Sequence, residues 1–114
     1  RMRRLRRYPP FADLFSFTVT GADESRVIRA AKALRDALGY AVERREELKP
    51  LSIEVLGPAG ASVVKVNNRY RYRVFLVGKG CPALRRLVAE YLYAFYQHKE
   101  NRGLDIFADC NAIQ

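Results

Sequence analysis

Apolar and polar residues alternate along Leu14 to Thr20 (LFSFTVT), with Phe15, Phe17 and Val19 set against Ser16, Thr18 and Thr20. That period belongs to a half-buried strand, and Gly21 stops it. From Val27 the spacing changes to Val27, Ala30, Ala31, Leu34 and Leu38, while Arg26, Arg29, Lys32, Arg35 and Asp36 fill the other positions. This is an amphipathic helix, capped by Asp23 or Ser25 and expected to end at Gly39. The charged run Glu43 to Lys49 before Pro50 reads as a solvated connection. Ser52 to Leu56 is a further strand, and Gly57-Pro58-Ala59-Gly60 has turn chemistry. Val63 to Val66 and Arg69 to Val77 are expected to form an antiparallel pair across Asn67-Asn68, because asparagine tolerates the left-handed backbone of a tight hairpin. Gly78 to Pro82 leads into a second helix, with Pro82 in its first turn. Its buried stripe would be Leu84, Leu87, Val88, Tyr91, Leu92 and Phe95, with Gly103 ending it. Leu104 to Ala108 supplies the last strand.

The order β-α-β-β-α-β implies an α+β, ferredoxin-like sandwich, an antiparallel sheet with both helices on one face and the other face uncovered. Tyr8-Pro9-Pro10-Phe11 is a stiff, extended lead-in. Residues 1–11 are therefore read as a linker, and residues 12–114 as one domain. The first residue is Arg1, which points to a piece of a longer protein.

With 114 residues, 49% of them apolar, one core can be buried and not two. No apolar run is long enough to span a membrane, and the arginine-rich start lacks the apolar stretch of a secretory signal. Cys81 and Cys110 form no CxxC pair, so each is expected to be a buried structural thiol in a reducing, cytoplasmic setting.

Net charge is +9, and its distribution is uneven. Residues 1–7 hold five arginines, while residues 55–89 hold seven basic residues and no acidic one. Those seven are Lys65, Arg69, Arg71, Arg73, Lys79, Arg85 and Arg86. Excluding every carboxylate from so long a stretch favours a polyanionic partner, nucleic acid ahead of an acidic protein tail. Catalytic chemistry is poorly supplied: His98 stands alone, no phosphate-binding loop or catalytic triad occurs, and Asp105 and Asp109 have no nucleophile to serve. No catalytic or metal residue is assigned.

Binding chemistry is better supplied. In Arg69-Tyr70-Arg71-Tyr72-Arg73 the period of two puts the arginines on one face and Tyr70, Tyr72, Val74 and Leu76 on the other. Guanidinium forks clamp phosphates, whereas the tyrosines would be packing residues. Arginines taking the open face favour backbone contacts over base stacking. The same alternation also suits a water-facing strand. Tyr93 and Tyr96 lie partly off the second helix's buried stripe, for core-edge packing or a partner contact.

Tyr8-Pro9-Pro10-Phe11, then a strand and helix, then Val55-Leu56-Gly57-Pro58-Ala59, then Arg69-Tyr70-Arg71 leading into an apolar strand, resemble in content and order the C-terminal domain of the PriA (primosomal protein N′) family of replication-restart DNA helicases. The chain departs from that pattern at Gly60 and Ser62, where the family has prolines, and at Asn68, where it has glycine. Near the end, only Asp109 matches an Asp-x-Asp-Pro run. The resemblance implies a parent that is a 3′-to-5′ helicase using ATP and magnesium, with a zinc-binding insertion, acting at stalled forks in the bacterial cytoplasm in association with the nucleoid. None of the motor or zinc residues lies in this chain, so no cofactor is implied for it. The domain would be similar to the tenth small-subunit ribosomal protein, bind forked or single-stranded DNA, and pack on the helicase core of the same chain.

Primosome proteins and single-stranded-DNA-binding protein are further implied partners. The family's site for the latter's acidic tail includes a basic residue just after the Arg-Tyr-Arg strand. Here that region holds Lys79, Cys81 and, a turn into the helix, Arg85, with Arg86 beside it. The expectation is a non-catalytic DNA-binding domain holding phosphates with Lys65, Arg69, Arg71 and Arg73. The alternative is a protein-interaction module that docks on the helicase core or takes an acidic tail.

Overall fold

The computed structural model describes residues 12–79 and 82–112. The linker read at residues 1–11 and the thiol of Cys81 lie outside the described residues. Strand β1 (Ala12–Gly21) leads into helix α1 (Glu24–Arg44), then β2 (Glu54–Val66), β3 (Arg69–Lys79), helix α2 (Pro82–Phe95) and β4 (Asp105–Ala112), with short 3-10 turns at Lys49–Leu51 and Lys99–Asn101. The sheet order is β2-β3-β1-β4, and every neighbouring pair is antiparallel. Phe15, Phe17, Val19, Val74, Leu76 and Ile106 join buried residues of both helices in one core cluster. This is the expected ferredoxin-like sandwich, with both helices on one face. No helix among the described residues is long and apolar enough to cross a membrane.

The boundaries differ from expectation where a packed stripe or a long-range hydrogen bond overrides a local breaker. Helix α1 runs through Gly39 to Arg44, because Ala41 and Val42 continue the stripe of Val27, Ala30, Ala31, Leu34 and Leu38 into the core. One helix-interior glycine costs only about 0.5–1 kcal/mol relative to alanine, less than the burial gained. Asp23 caps α1 by accepting from the backbone N–H groups of Ser25 and Arg26 at 3.1 and 3.4 Å. The Ser25 hydroxyl, which donates to Asp23 Oδ1 at 2.9 Å, holds its carboxyl below the ordinary range, and the backbone bonds add to this. At the other end of α1, within the charged run, Arg45 forms a bidentate pair with Glu90 of α2, both bonds 2.7 Å. The run is therefore partly a helix end and partly a clamp between the helices.

Helix α2 stops at Phe95, eight residues before Gly103. The Asn101 side-chain amide donates to Phe95 O at 2.7 Å, and Arg26 donates to Glu100 O and Arg102 O at 2.8 and 2.7 Å. These contacts hold the chain in a turn that ends the helix, and Gly103 with φ +84° bends it into β4. Gly57-Pro58-Ala59-Gly60 is likewise not a break. Strand β2 passes through it, with a cis Gly57–Pro58 bond and register shifts between Leu56 and Ala59 and between Gly60 and Lys65. Gly57 has φ +103°, and an added Cβ would sit 2.8 Å from Arg73 O, so glycine is required for this close approach. The Asn67-Asn68 turn is as expected, with φ of 52° and 63°. Cys110 is exposed rather than buried, because β4 is an edge strand and Cys110 lies near its end.

Candidate nucleic-acid interface

The face of the sheet away from the helices is built from alternate residues of each strand. Cross-strand pairing sets them in rows: Asp105 with Thr20 and Arg71, Phe107 with Thr18 and Arg73, and Asp109 with Ser16 and Phe75. The face has two halves. Near the hairpin it carries arginines, and toward the far end it carries Phe75, Leu56 and Val77, the last fully buried.

The tyrosines fall on the helix side, as expected. Tyr70 and Tyr72 pack against the core, and the Tyr72 hydroxyl donates to Glu24 Oε2 at 2.6 Å. That bond to a carboxylate raises the phenol above its ordinary value.

The three arginines of β3 have different surroundings. Arg69 is engaged inside the sheet: its guanidinium pairs with Asp105 Oδ2 at 3.0 Å and donates to Thr20 Oγ1 at 3.2 Å. Its charge is thus met by a carboxylate 36 residues away in the sequence. Arg71 stands opposite Thr20. Arg73 stands opposite Thr18, has no ion pair among the described residues, and keeps its Nε sealed from solvent without an acceptor.

Lys65 is not brought together with them. The two-residue turn pairs Val66 with Arg69 and Lys65 with Tyr70, so Lys65 shares the tyrosine side. Its ammonium lies 5.2 Å from the Tyr70 ring centroid, a cation–π contact at the sheet's flank. The turn length already carried this information, because a two-residue hairpin sets register and register sets the face.

Lys79, Arg85 and Arg86 are all exposed and lie near the passage from β3 to α2. Three pleats of strand, about 20 Å, separate Lys79 from Arg73. The seven basic residues are therefore divided between the open face, the hairpin's flank and the far end of the molecule.

Three further aromatic residues, Phe107, Tyr93 and Tyr96, have distinct surroundings. Phe107 is 47% exposed and lies on the open face in the row of Arg73. The alternation of Leu104, Ile106 and Ala108 against Asp105 and Phe107 was the available signal for it. Tyr96 is held to β4: its hydroxyl accepts from Ile106 N at 3.0 Å and lies 3.3 Å from Ile106 O. Tyr93 is 72% exposed on α2.

On the helix layer, a groove of about 740 Å³ runs between α1 and α2, lined by Ala30, Ala33, Ala37, Ala94, Arg29 and His98 among others. No group of three or more His, Cys, Asp or Glu that could hold a metal ion occurs among the described residues.

Residues 4–111 match the family described as the primosomal protein N C-terminal domain. The chain is 37% identical over 81 residues to a probable replication restart protein PriA of Deinococcus radiodurans, a match that covers 71% of this chain and 8% of that protein. It is 30% identical over 74 residues to the replication restart protein PriA of Synechocystis, covering 65% of this chain and again 8% of the relative. The chain thus matches about a twelfth of the length of these relatives. Among solved structures, a de novo designed protein, Foldit4, shares the fold with a TM-score of 0.61 at 14% identity, over 90% of this chain and 99% of the other.

Proposed function

Since the chain belongs to the primosomal protein N C-terminal domain family, we propose that it is the non-catalytic DNA-binding domain of an ATP-dependent, replication-restart helicase that acts at stalled forks. The observation that supports this reading best is the pair Arg71 and Arg73, adjacent on the half of the sheet that no helix covers. Guanidinium groups two residues apart on a strand lie about 7 Å from each other, close to the spacing of successive phosphates along a strand. Arg73 supplies a charge that no carboxylate among the described residues neutralises. Arg69 contributes less, since Asp105 already holds it.

Binding of this kind draws its free energy from counterions released by each phosphate contacted. About two or three contacts give modest affinity that falls steeply with salt and carries little sequence preference. The remaining partners in this reading are the helicase core of the same chain, primosome proteins and single-stranded-DNA-binding protein, in the bacterial cytoplasm. ATP, magnesium and zinc belong to the parent's other domains.

Anisotropy titrations of forked, duplex and single-stranded DNA at two salt concentrations test the assignment. Arg71→Ala combined with Arg73→Ala is expected to weaken binding about tenfold or more and to flatten the salt slope. Unchanged affinity would remove this strand from the interface.

A second reading is supported by the groove between α1 and α2, whose alanine-rich lining and Arg26 and Arg29 suit a protein segment with apolar and acidic side chains. In that case Arg29→Glu abolishes capture of an acidic peptide, and DNA does not compete for it.

A further inference from the structure

Phe107, Thr18 and Arg73 form one row across the open face, with Thr18 paired to both of the others. Thr18 is 2% exposed and lies low between an exposed ring and a guanidinium. Two interstrand spacings, about 10 Å, separate β3 from β4. That is the reach from a phosphate to the base on the same nucleotide.

Charge divides along the same line. Arg71 and Arg73 are on β3, whereas β4 presents Asp105 and Asp109 on either side of Phe107. A duplex laid over this face would set phosphates against the Asp109 carboxylate, Asp105 being already paired with Arg69, because its phosphates line both edges of each groove. A single strand has no such conflict. With its phosphates along β3, its bases turn toward β4, where Phe107 offers a ring face and Asp109 can accept hydrogen bonds from amino groups on base edges.

The geometry points to Phe107 as a stacking platform for an unpaired base, which makes this face a reader of single-stranded rather than duplex DNA. The inference rests on the open face being the DNA surface, and it goes beyond phosphate contact by naming the strand state and the ring that senses it. It also reverses the expectation that arginines on this face leave no aromatic for stacking.

The chain contains no tryptophan, so Phe107→Trp introduces a unique fluorophore at the site. Titration with a short single-stranded oligonucleotide is expected to quench its emission in step with the anisotropy change. Phe107→Ala is expected to weaken single-strand binding about tenfold and leave duplex binding and its salt slope unchanged. Circular dichroism checks that both variants keep the fold, as the exposed position predicts.

If the oligonucleotide binds while tryptophan emission stays constant, or if Phe107→Ala binds as tightly as the parent, the stacking role is wrong while the arginine reading stands. If the Arg71 and Arg73 double variant keeps full affinity while the quench persists, the arginine reading fails and the ring is retained as a base contact. A chain that binds no DNA at low salt overturns both.

Discussion

The two faces of the sheet are made from the same four strands in the same alternation, yet they are governed by different physics. On the helix-covered face Phe15, Phe17, Val19, Val74, Leu76 and Ile106 meet α1 and α2 in one apolar cluster. Their requirement is to be large, apolar and correctly shaped. On the open face the neighbours are Thr18, Arg73, Phe107 and Asp109, and each is defined by the charge or ring set across from it. Arg69 and Arg73 are four residues apart on one strand, but Asp105 neutralises the first and no described carboxylate meets the second. Apolar burial is tolerant of which apolar partner is met. Electrostatics is not, because a single carboxylate 3.0 Å away changes what an arginine can offer.

The largest effect of a substitution is expected on the covered face. Phe17 is fully buried, and Phe17→Ala is expected to destabilise the fold by about 3–5 kcal/mol, read as a lower denaturant midpoint. The open-face arginine pair, changed together, should alter that midpoint hardly at all while weakening DNA binding about tenfold or more. If Phe17→Ala were tolerated, the division between the faces would lose its basis.

A smaller effect is expected where the two helices are clamped. Glu90 accepts two hydrogen bonds from Arg45, and these hold its carboxyl below the ordinary range; Arg45 is correspondingly pushed up. Because the folded carboxyl is the stronger acid, the pair contributes above the unfolded value of about 4.3 and is lost as pH falls through the lower folded value. Glu90→Gln should lower the melting temperature most near neutral pH, by the equivalent of less than about 1 kcal/mol for a pair this exposed. The difference should shrink in acid. A pH-independent difference would mean that packing rather than charge holds the helices together.

The smallest effect is expected at Lys65. Its ammonium lies over Tyr70 on the flank away from Arg73, so Lys65→Ala should change DNA affinity by less than about twofold, the loss of a distant, screened charge. Parity with Arg73→Ala in the same anisotropy titration would show that the interface wraps around the hairpin.

Much of the fold was legible because it depends on local periods. The switch from alternation at Leu14 to Thr20 to helical spacing at Val27 and the asparagines of the hairpin appear in the structure as expected, and of the α2 stripe Leu84, Leu87, Val88 and Phe95 are buried while Tyr91 and Leu92 are partly so. Two errors have a common origin. Local preference places helix ends at Gly39 and Gly103, but α1 is carried past Gly39 by the burial of Ala41 and Val42, and α2 is stopped early by Asn101 and Arg26. A glycine is a weak local preference, and contacts made from distant residues outweigh it.

The candidate site was legible in charge distribution and in the local register of one hairpin, and no further. The amino-acid sequence by itself determined that seven basic residues and no acidic one occupy residues 55–89, that alternate positions on β3 separate arginines from tyrosines, and that the two-residue turn pairs Val66 with Arg69. Tertiary structure alone decided which of those charges act together. It brought Asp105 against Arg69 from 36 residues away, put Phe107 in the row of Arg73, and left Lys79, Arg85 and Arg86 at the far end. Periodicity records which way a side chain points along its own strand. What it faces across the sheet depends on the order in which strands assemble, and that order is set by burying the other face.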